Sequence, residues 1–296
     1  MSERLDIRLG TERDLLGESP VWDDRQQALY WVDTRRRLVH CQQDGQPTQS
    51  WTAPQEVGSI ALARPGWMLL ALEDRFSMLE LSSGALHPIA EVQHPKLPMR
   101  LNDGRTDKEG RFVCGSMVLG RREPDGELFR LDSDGRVTRL LGGNIVSNAT
   151  CFSPDGRTLY HADSHSGVIR AWAYARDGSI SNERVFVDTR PQGSGPDGAT
   201  VDAEGCLWVA LVLTAKVARY APDGRLLYAL DLPVPYPTCP SFGGPELDTL
   251  FVTSIRDSGN ALRSEDPRAG ALVEIRGLGV RGLPEVPFAG LTAKTT

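Results

Sequence analysis

No window of this 296-residue sequence approaches the ~20 consecutive apolar residues that span a bilayer. The opening MSERLDIRLG is charged and lacks the apolar stretch of a secretion signal. The expectation is therefore a soluble, cytoplasmic protein without a membrane partner. A basic excess is also missing. The net charge is −6, which argues against nucleic acid as a partner. The densest basic run, Arg35 to Arg37, follows an apolar strand and fits a solvated turn. Cysteine is scarce. Cys41, Cys114, Cys151, Cys206 and Cys239 are odd in number and form no CxxC pair, as suits free thiols in a reducing compartment. The sequon at Asn148-Ala149-Thr150 carries no weight without secretion. No GxSxG elbow, Walker loop or dinucleotide fingerprint occurs, and no Ser/His/Asp constellation stands out. Helical periodicity is nearly absent.

Repetition takes its place. Six stretches begin alike, at Glu18, Gly58, Asn102, Asn148, Asp197 and Thr238. Their spacing of roughly 40 to 50 residues is the period of β-propeller blades. Each runs from a small or polar residue into an apolar strand, a turn and a second apolar strand, as in ESPVWDDRQQALYWVD and NATCFSPDGRTLYHADS. Gly66, Gly110, Gly156 and Gly205 occupy four of these turns, where a tight hairpin needs positive φ. A third strand follows in most units, for example LVHCQQDG (38–45) and KVARYAPDG (216–224). Three strands and a less regular fourth make a blade, so the fold class is all-β, a six-bladed β-propeller. The repeats run on without a linker-like gap, and one domain over 1–296 is expected. The segment before Glu18 is expected to add a strand to the last blade and lock the ring.

Equivalent positions in a propeller converge on one mouth of the central channel. Four of the six openings carry side-chain oxygens, from Glu18, Asn102, Asn148 and Asp197. Carboxylate and amide oxygens suit a hard divalent cation such as Ca²⁺, Mg²⁺ or Mn²⁺. Zn²⁺ more often recruits His or Cys, although ligand type alone leaves Zn²⁺ and Fe²⁺ open. A bound divalent ion polarises a carbonyl, acidifies water and stabilises oxyanions, which points to hydrolysis of an ester-like bond. Arg100 lies two residues before Asn102 and faces the same way by strand alternation, suited to a hydroxylated or anionic substrate. His161 and His165 flank Asp163 in TLYHADSHSG and fit structural roles on a strand and its loop.

At these residues the chain resembles the SMP-30/gluconolactonase/LRE-like family, the relatives of regucalcin. The segments carrying the resemblance include LGESPVWDDRQQALYWVD, RLNDGRTDKEGRFVCGSM, GPDGATVDAEGCLWVAL and PSFGGPELDTLFVTS, and together they cover most of the chain. The resemblance implies a six-bladed propeller that opens sugar lactones with one divalent metal ion. By matching motifs it implies metal ligands at Glu18, Asn148 and Asp197, a general base at Asp197, and a substrate-contacting pair at Arg100 and Asn102. Some relatives carry a substrate-facing Glu shortly after a segment like Gly115-Ser116-Met117. This chain has Gly120, Arg121 and Arg122 in that region, which suits an acidic lactone. The expected activity is metal-dependent opening of a neutral or acidic sugar lactone to the sugar acid, in sugar catabolism, by a monomer or small homo-oligomer. Two alternatives stand beside it: a metal-dependent phosphoesterase or organophosphatase, and a non-catalytic metal-binding interaction propeller.

Overall fold

The structure, a computed structural model, describes residues 5–120 and 122–290. Its short β-branched and aromatic runs form twenty-four strands in six four-stranded antiparallel sheets, as the alternation of strand and turn signals predicts. Blade 1 comprises β2 (Gly17–Asp23), β3 (Ala28–Asp33), β4 (Leu38–Gln43) and β5 (Gln49–Thr52). Blade 2 comprises β6 (Ser59–Leu62), β7 (Trp67–Ala71), β8 (Arg75–Glu80) and β9 (Leu86–Glu91). In blade 3 are β10 (Met99–Thr106), β11 (Phe112–Val118), β12 (Gly126–Leu131) and β13 (Val137–Asn144). In blade 4 are β14 (Ser147–Phe152), β15 (Thr158–Asp163), β16 (Val168–Tyr174) and β17 (Ile180–Asp188). Blade 5 holds β18 (Pro196–Val201), β19 (Leu207–Leu211), β20 (Lys216–Tyr220) and β21 (Leu226–Asp231).

Blade 6 is closed by the start of the chain. Its own strands β22 (Pro237–Gly243), β23 (Thr249–Ser254) and β24 (Val273–Arg276) are joined by β1 (Asp6–Leu9), with Asp6 opposite Arg276 and Leu9 opposite Val273. The expected lock by the segment before Glu18 is therefore present. Closure leaves short sheet edges facing outward. The four turn glycines all take positive φ, between 71° and 82°, as the hairpins require.

The first strand of each blade is innermost and packs on the first strands of both neighbours. Apolar side chains fill the spaces between blades. Tyr30, Val32, Leu62 and Leu70 join blades 1 and 2, Trp208 and Phe242 join blades 5 and 6, and Trp22 stacks on Phe251 where blade 6 meets blade 1. Each such buried side chain contributes about 1.5–3 kcal/mol. The five cysteines are free and buried, as expected.

After β24 the chain runs without strands across the face that carries the hairpins between first and second strands. Gly282 N–H bonds the Leu247 carbonyl of blade 6, and the Arg281 carbonyl accepts from Ala203 N–H of blade 5. Phe288 N–H bonds the Leu62 carbonyl of blade 2, and Ala289 N–H bonds the Gly110 carbonyl of blade 3. Glu285 pairs with Arg105 of β10, whose guanidinium also reaches the Ala199 carbonyl of β18 at 3.2 Å. This strap and the Arg105 bridge close the channel on that side. The openings lie at the other end.

Candidate active site

Five of the six innermost strands lose register with their neighbour at the opening. The breaks fall between Glu18 and Val21, Leu101 and Gly104, Asn148 and Cys151, Pro196 and Ala199, and Pro237 and Pro240. A bulge leaves residues unpaired and re-aims their side chains. Ser19 and Ala149, immediately after Glu18 and Asn148, hold φ of 49° and 54°, a left-handed conformation costing roughly 1–3 kcal/mol outside glycine. Strand β6 of blade 2 pairs straight through. Its opening residue, Gly58, has no space for a side chain, because a Cβ would lie 2.3 Å from the Leu101 carbonyl oxygen. The sixth opening, Thr238, donates to the Gly17 carbonyl at 2.5 Å and meets Thr253 Oγ1 at 2.8 Å. It ties blade 6 to blade 1.

The bulges bring the predicted residues together. Glu18, Arg100, Asn102, Asn148 and Asp197 all line one cavity of about 760 Å³. Hydrogen bonds fix their roles. Arg100 Nη1 donates to Asn102 Oδ1 at 2.6 Å, and its Nε lies 3.3 Å from Glu56 Oε2. Asn102 Nδ2 donates to the Ser147 carbonyl at 2.8 Å and to Asn148 Oδ1 at 3.1 Å. Asn148 Nδ2 donates to Ser164 Oγ at 2.9 Å, and Ser164 donates onward to the Pro196 carbonyl at 2.7 Å. This network orients both amides. Each amide oxygen accepts one of these bonds, Asn102 Oδ1 from Arg100 and Asn148 Oδ1 from Asn102, and keeps a second lone pair.

Electrostatics separate these groups further. Burial raises the Glu18 carboxyl well above its ordinary value, and the neighbouring charges of Asp197 and Asp103 raise it more. Burial, then Asp103, likewise raises Asp197, with Gly198 N–H and Arg100 acting in opposition. Asp103 is itself raised by burial, moderated by Thr150 N–H at 2.7 Å and by Arg105. Among the described residues, neither Glu18 nor Asp197 has a hydrogen-bonded cationic partner. A half-buried and a buried carboxylate and an amide oxygen without such a partner match the donor chemistry of a hard divalent cation, since buried charges are paired or coordinate metals.

Two other clusters do not have this character. Asp202, Glu204 and Cys206 lie close together, yet Asp202 already accepts from Trp208 Nε1 at 2.9 Å and from Arg219 Nη2 at 2.7 Å. A Ser/His/Asp chain that did not stand out in the sequence also exists. His40 Nδ1 lies 2.7 Å from Ser50 Oγ and its Nε2 3.3 Å from Asp14 Oδ1, while Trp31 Nε1 donates to Asp14 Oδ2 at 2.9 Å. His40 and Ser50 are cross-strand partners on β4 and β5, and none of the three lines the cavity. Their chain pins the segment before β2 to the outer strands of blade 1. His161 is buried between Asn144 and Thr150, and burial holds its pKa down to about 3. It is a neutral structural residue, as expected, whereas His165 lines the cavity.

The description of the SMP-30/Gluconolactonase/LRE-like region matches residues 16–256 of this sequence. The chain belongs to that family. Within it, a 6-deoxy-6-sulfogluconolactonase of Pseudomonas putida is 34% identical over 280 residues, covering 93% of this chain and 96% of the relative. An L-arabinolactonase of Azospirillum brasilense is 37% identical over 271 residues, covering 89% of each. The solved structure of a calcium-binding regucalcin from Agrobacterium tumefaciens superposes with a TM-score of 0.88 at 28% identity, covering 94% of this chain and 95% of that one. The recognised family and the six-bladed architecture both stand.

Glu56, Asp103 and Ser164 escaped the sequence reading, though each touches or biases the cavity residues. Asp103 had a signal: it directly follows Asn102 in RLNDG, and the bulge there places both neighbours in the interior. Arg121 lies outside the described residues. Among those described, no helix is long and apolar enough to cross a membrane.

Proposed function

We propose that this protein hydrolyses the ring ester of a sugar lactone, with Glu18, Asn148 and Asp197 holding one divalent cation at the channel mouth. One observation carries the proposal: a half-buried and a buried carboxylate converge beside an oriented amide oxygen, without a hydrogen-bonded cationic partner among the described residues, in the lining of a substrate-sized cavity. The lactonase names of the relatives support the same reaction. The all-oxygen donor set favours Ca²⁺, Mg²⁺ or Mn²⁺ over Zn²⁺, and the calcium-binding description of the regucalcin neighbour supports Ca²⁺ first. The bound ion supplies Lewis acidity and offsets negative charge developing on the lactone oxygens.

The chain's own residues do the rest. Asp197 takes a proton from the water that attacks the carbonyl carbon, from its place in the lining of the cavity. The ring C–O bond breaks, the proton passes to the departing ring oxygen, and the open sugar acid leaves. Arg100 and Asn102 are held as one unit by their 2.6 Å hydrogen bond and orient the sugar hydroxyls. Fixing the lactone against the base supplies the proximity term.

The test is proton release by pH-stat over five- and six-membered sugar lactones, with a phosphotriester in parallel. Metal-stripped protein would be compared with protein given Ca²⁺, Mg²⁺, Mn²⁺, Zn²⁺ or Fe²⁺, and with Asp197→Ala. Metal-dependent lactone turnover that disappears in Asp197→Ala supports the proposal. Turnover of the phosphotriester alone, or of nothing by folded protein, rejects it.

A further inference from the structure

The cavity's charged groups separate into those with a partner or a ligand role and one with neither. Glu18 and Asp197 are given to the cation in the reading above, on which this inference rests. Arg100 is bonded to Asn102 and paired with Glu56. Arg122, on the loop between β11 and β12, also lines the cavity. Among the described residues, its guanidinium has no hydrogen-bonding or ion-pairing partner. No acidic side chain besides Glu18 and Asp197 is among the cavity's lining residues.

The wall of the cavity mixes polar and apolar groups from several blades. Arg122 belongs to blade 3, and His165, which also lines the cavity, comes from the β15–β16 loop of blade 4. Blades 5, 6 and 1 supply Leu16, Val212, Leu213, Ile255 and Leu262. Met117, Val118 and Val146 add carbon on the blade 3 and 4 side as well, and Ser258 and Asn260 of blade 6 add polar groups, so what distinguishes blade 3 is the charge of Arg122. A cavity of about 760 Å³ lies well within the range that encloses whole drug-sized ligands, so it holds more than a bare lactone ring. With a divalent cation offsetting both carboxylates, the remaining formal charge of the lining is that of Arg100 and Arg122.

We propose that the lactone carries an anionic substituent away from its ring ester, a carboxylate, sulfonate or phosphate, and that Arg122 is its counter-ion. The planar guanidinium matches such oxyanions with two parallel N–H donors. His165 adds a donor from the neighbouring blade, while the apolar lining residues pack the C–H face of the ring.

The experiment compares kcat/KM for glucono-1,5-lactone with its analogues bearing carboxylate, sulfonate or phosphate at the sixth carbon. Wild type, Arg122→Ala, Arg122→Glu and Arg122→Lys would be measured at low and high salt, with folding checked by circular dichroism. The wild-type ratio of anionic to neutral kcat/KM should exceed one and fall with salt. Arg122→Ala should reduce that ratio about tenfold, as expected for loss of one charge-assisted contact, Arg122→Glu should reduce it further, and Arg122→Lys should keep part of it. The three analogues rank the anions. A ratio unchanged in Arg122→Glu, or a wild type that turns over only the neutral lactone, overturns the subsite and leaves the lactonase reading standing. Turnover of neither class with any metal overturns both.

Discussion

Asp197→Asn should make the metal-free protein more stable while abolishing its activity. In the unfolded chain the Asp197 carboxyl ionises near its ordinary value of 3.8, whereas burial and Asp103 raise it in the fold. The unfolded state therefore binds fewer protons above pH 4, and stability falls as pH rises toward the folded pKa. Each tenfold displacement of the ionisation costs about 1.4 kcal/mol, and burial displaces carboxylates by several such steps. Burying the replacement amide returns some of that gain, leaving about 2–4 kcal/mol in favour of the variant at pH 8. At roughly 2–3 °C per kcal/mol for a chain this long, the variant should melt about 4–12 °C higher in chelator. The gap should shrink toward pH 4 and close below about pH 3, where both states hold the proton. Adding the cation at a thousandfold its Kd should cancel or reverse the gap, because it stabilises the wild type by about 4.1 kcal/mol. Calorimetry at pH 3, 4, 6 and 8, with chelator and with each metal, reads all of this. A variant no more stable than wild type at pH 8, or a gap independent of pH, refutes the electrostatic account of the site.

Other expectations concern residues farther from the cation. Glu56→Ala removes the carboxylate beside buried Arg100 and should cost about 1–3 kcal/mol in denaturant unfolding; it should raise KM more than it lowers kcat, with Glu56→Gln intermediate. Phe288 is 2% exposed and packs between blades 2 and 3, so Phe288→Ala should cost about 3–5 kcal/mol by the same measurement. Gly198→Ala places a Cβ 2.5 Å from Cys239 Sγ and should lose about 1–3 kcal/mol to overpacking, with metal affinity falling too because Asp197 is its neighbour.

The parts of this architecture written locally were legible. Each hairpin glycine and apolar run declares itself within a dozen residues, so the six blades, their turns and the strand lent by the N-terminal segment could be read before any coordinates. The openings were legible for a different reason: a repeat places equivalent residues at one mouth, and Glu18, Asn102, Asn148 and Asp197 do meet there. What stayed hidden joins residues at separations no local pattern marks. Glu56 reaches Arg100 across 44 positions and Ser164 reaches Asn148 across 16, and neither separation follows a strand or helix period. The bulges were hidden as well, because losing register after Glu18 or Asn148 depends on the partner strand. The Asp14–His40–Ser50 chain likewise arises from cross-strand pairing.

The strap that ties blades 5 and 6 to blades 2 and 3 makes the channel a blind well. Substrate descends and product climbs through one mouth, past the same loops. The spent sugar acid must clear that passage before another lactone can enter, so the two should exclude each other outright. Its inhibition should raise KM and leave kcat untouched, and an anionic product held at the rim would leave slowly enough to set the pace of turnover.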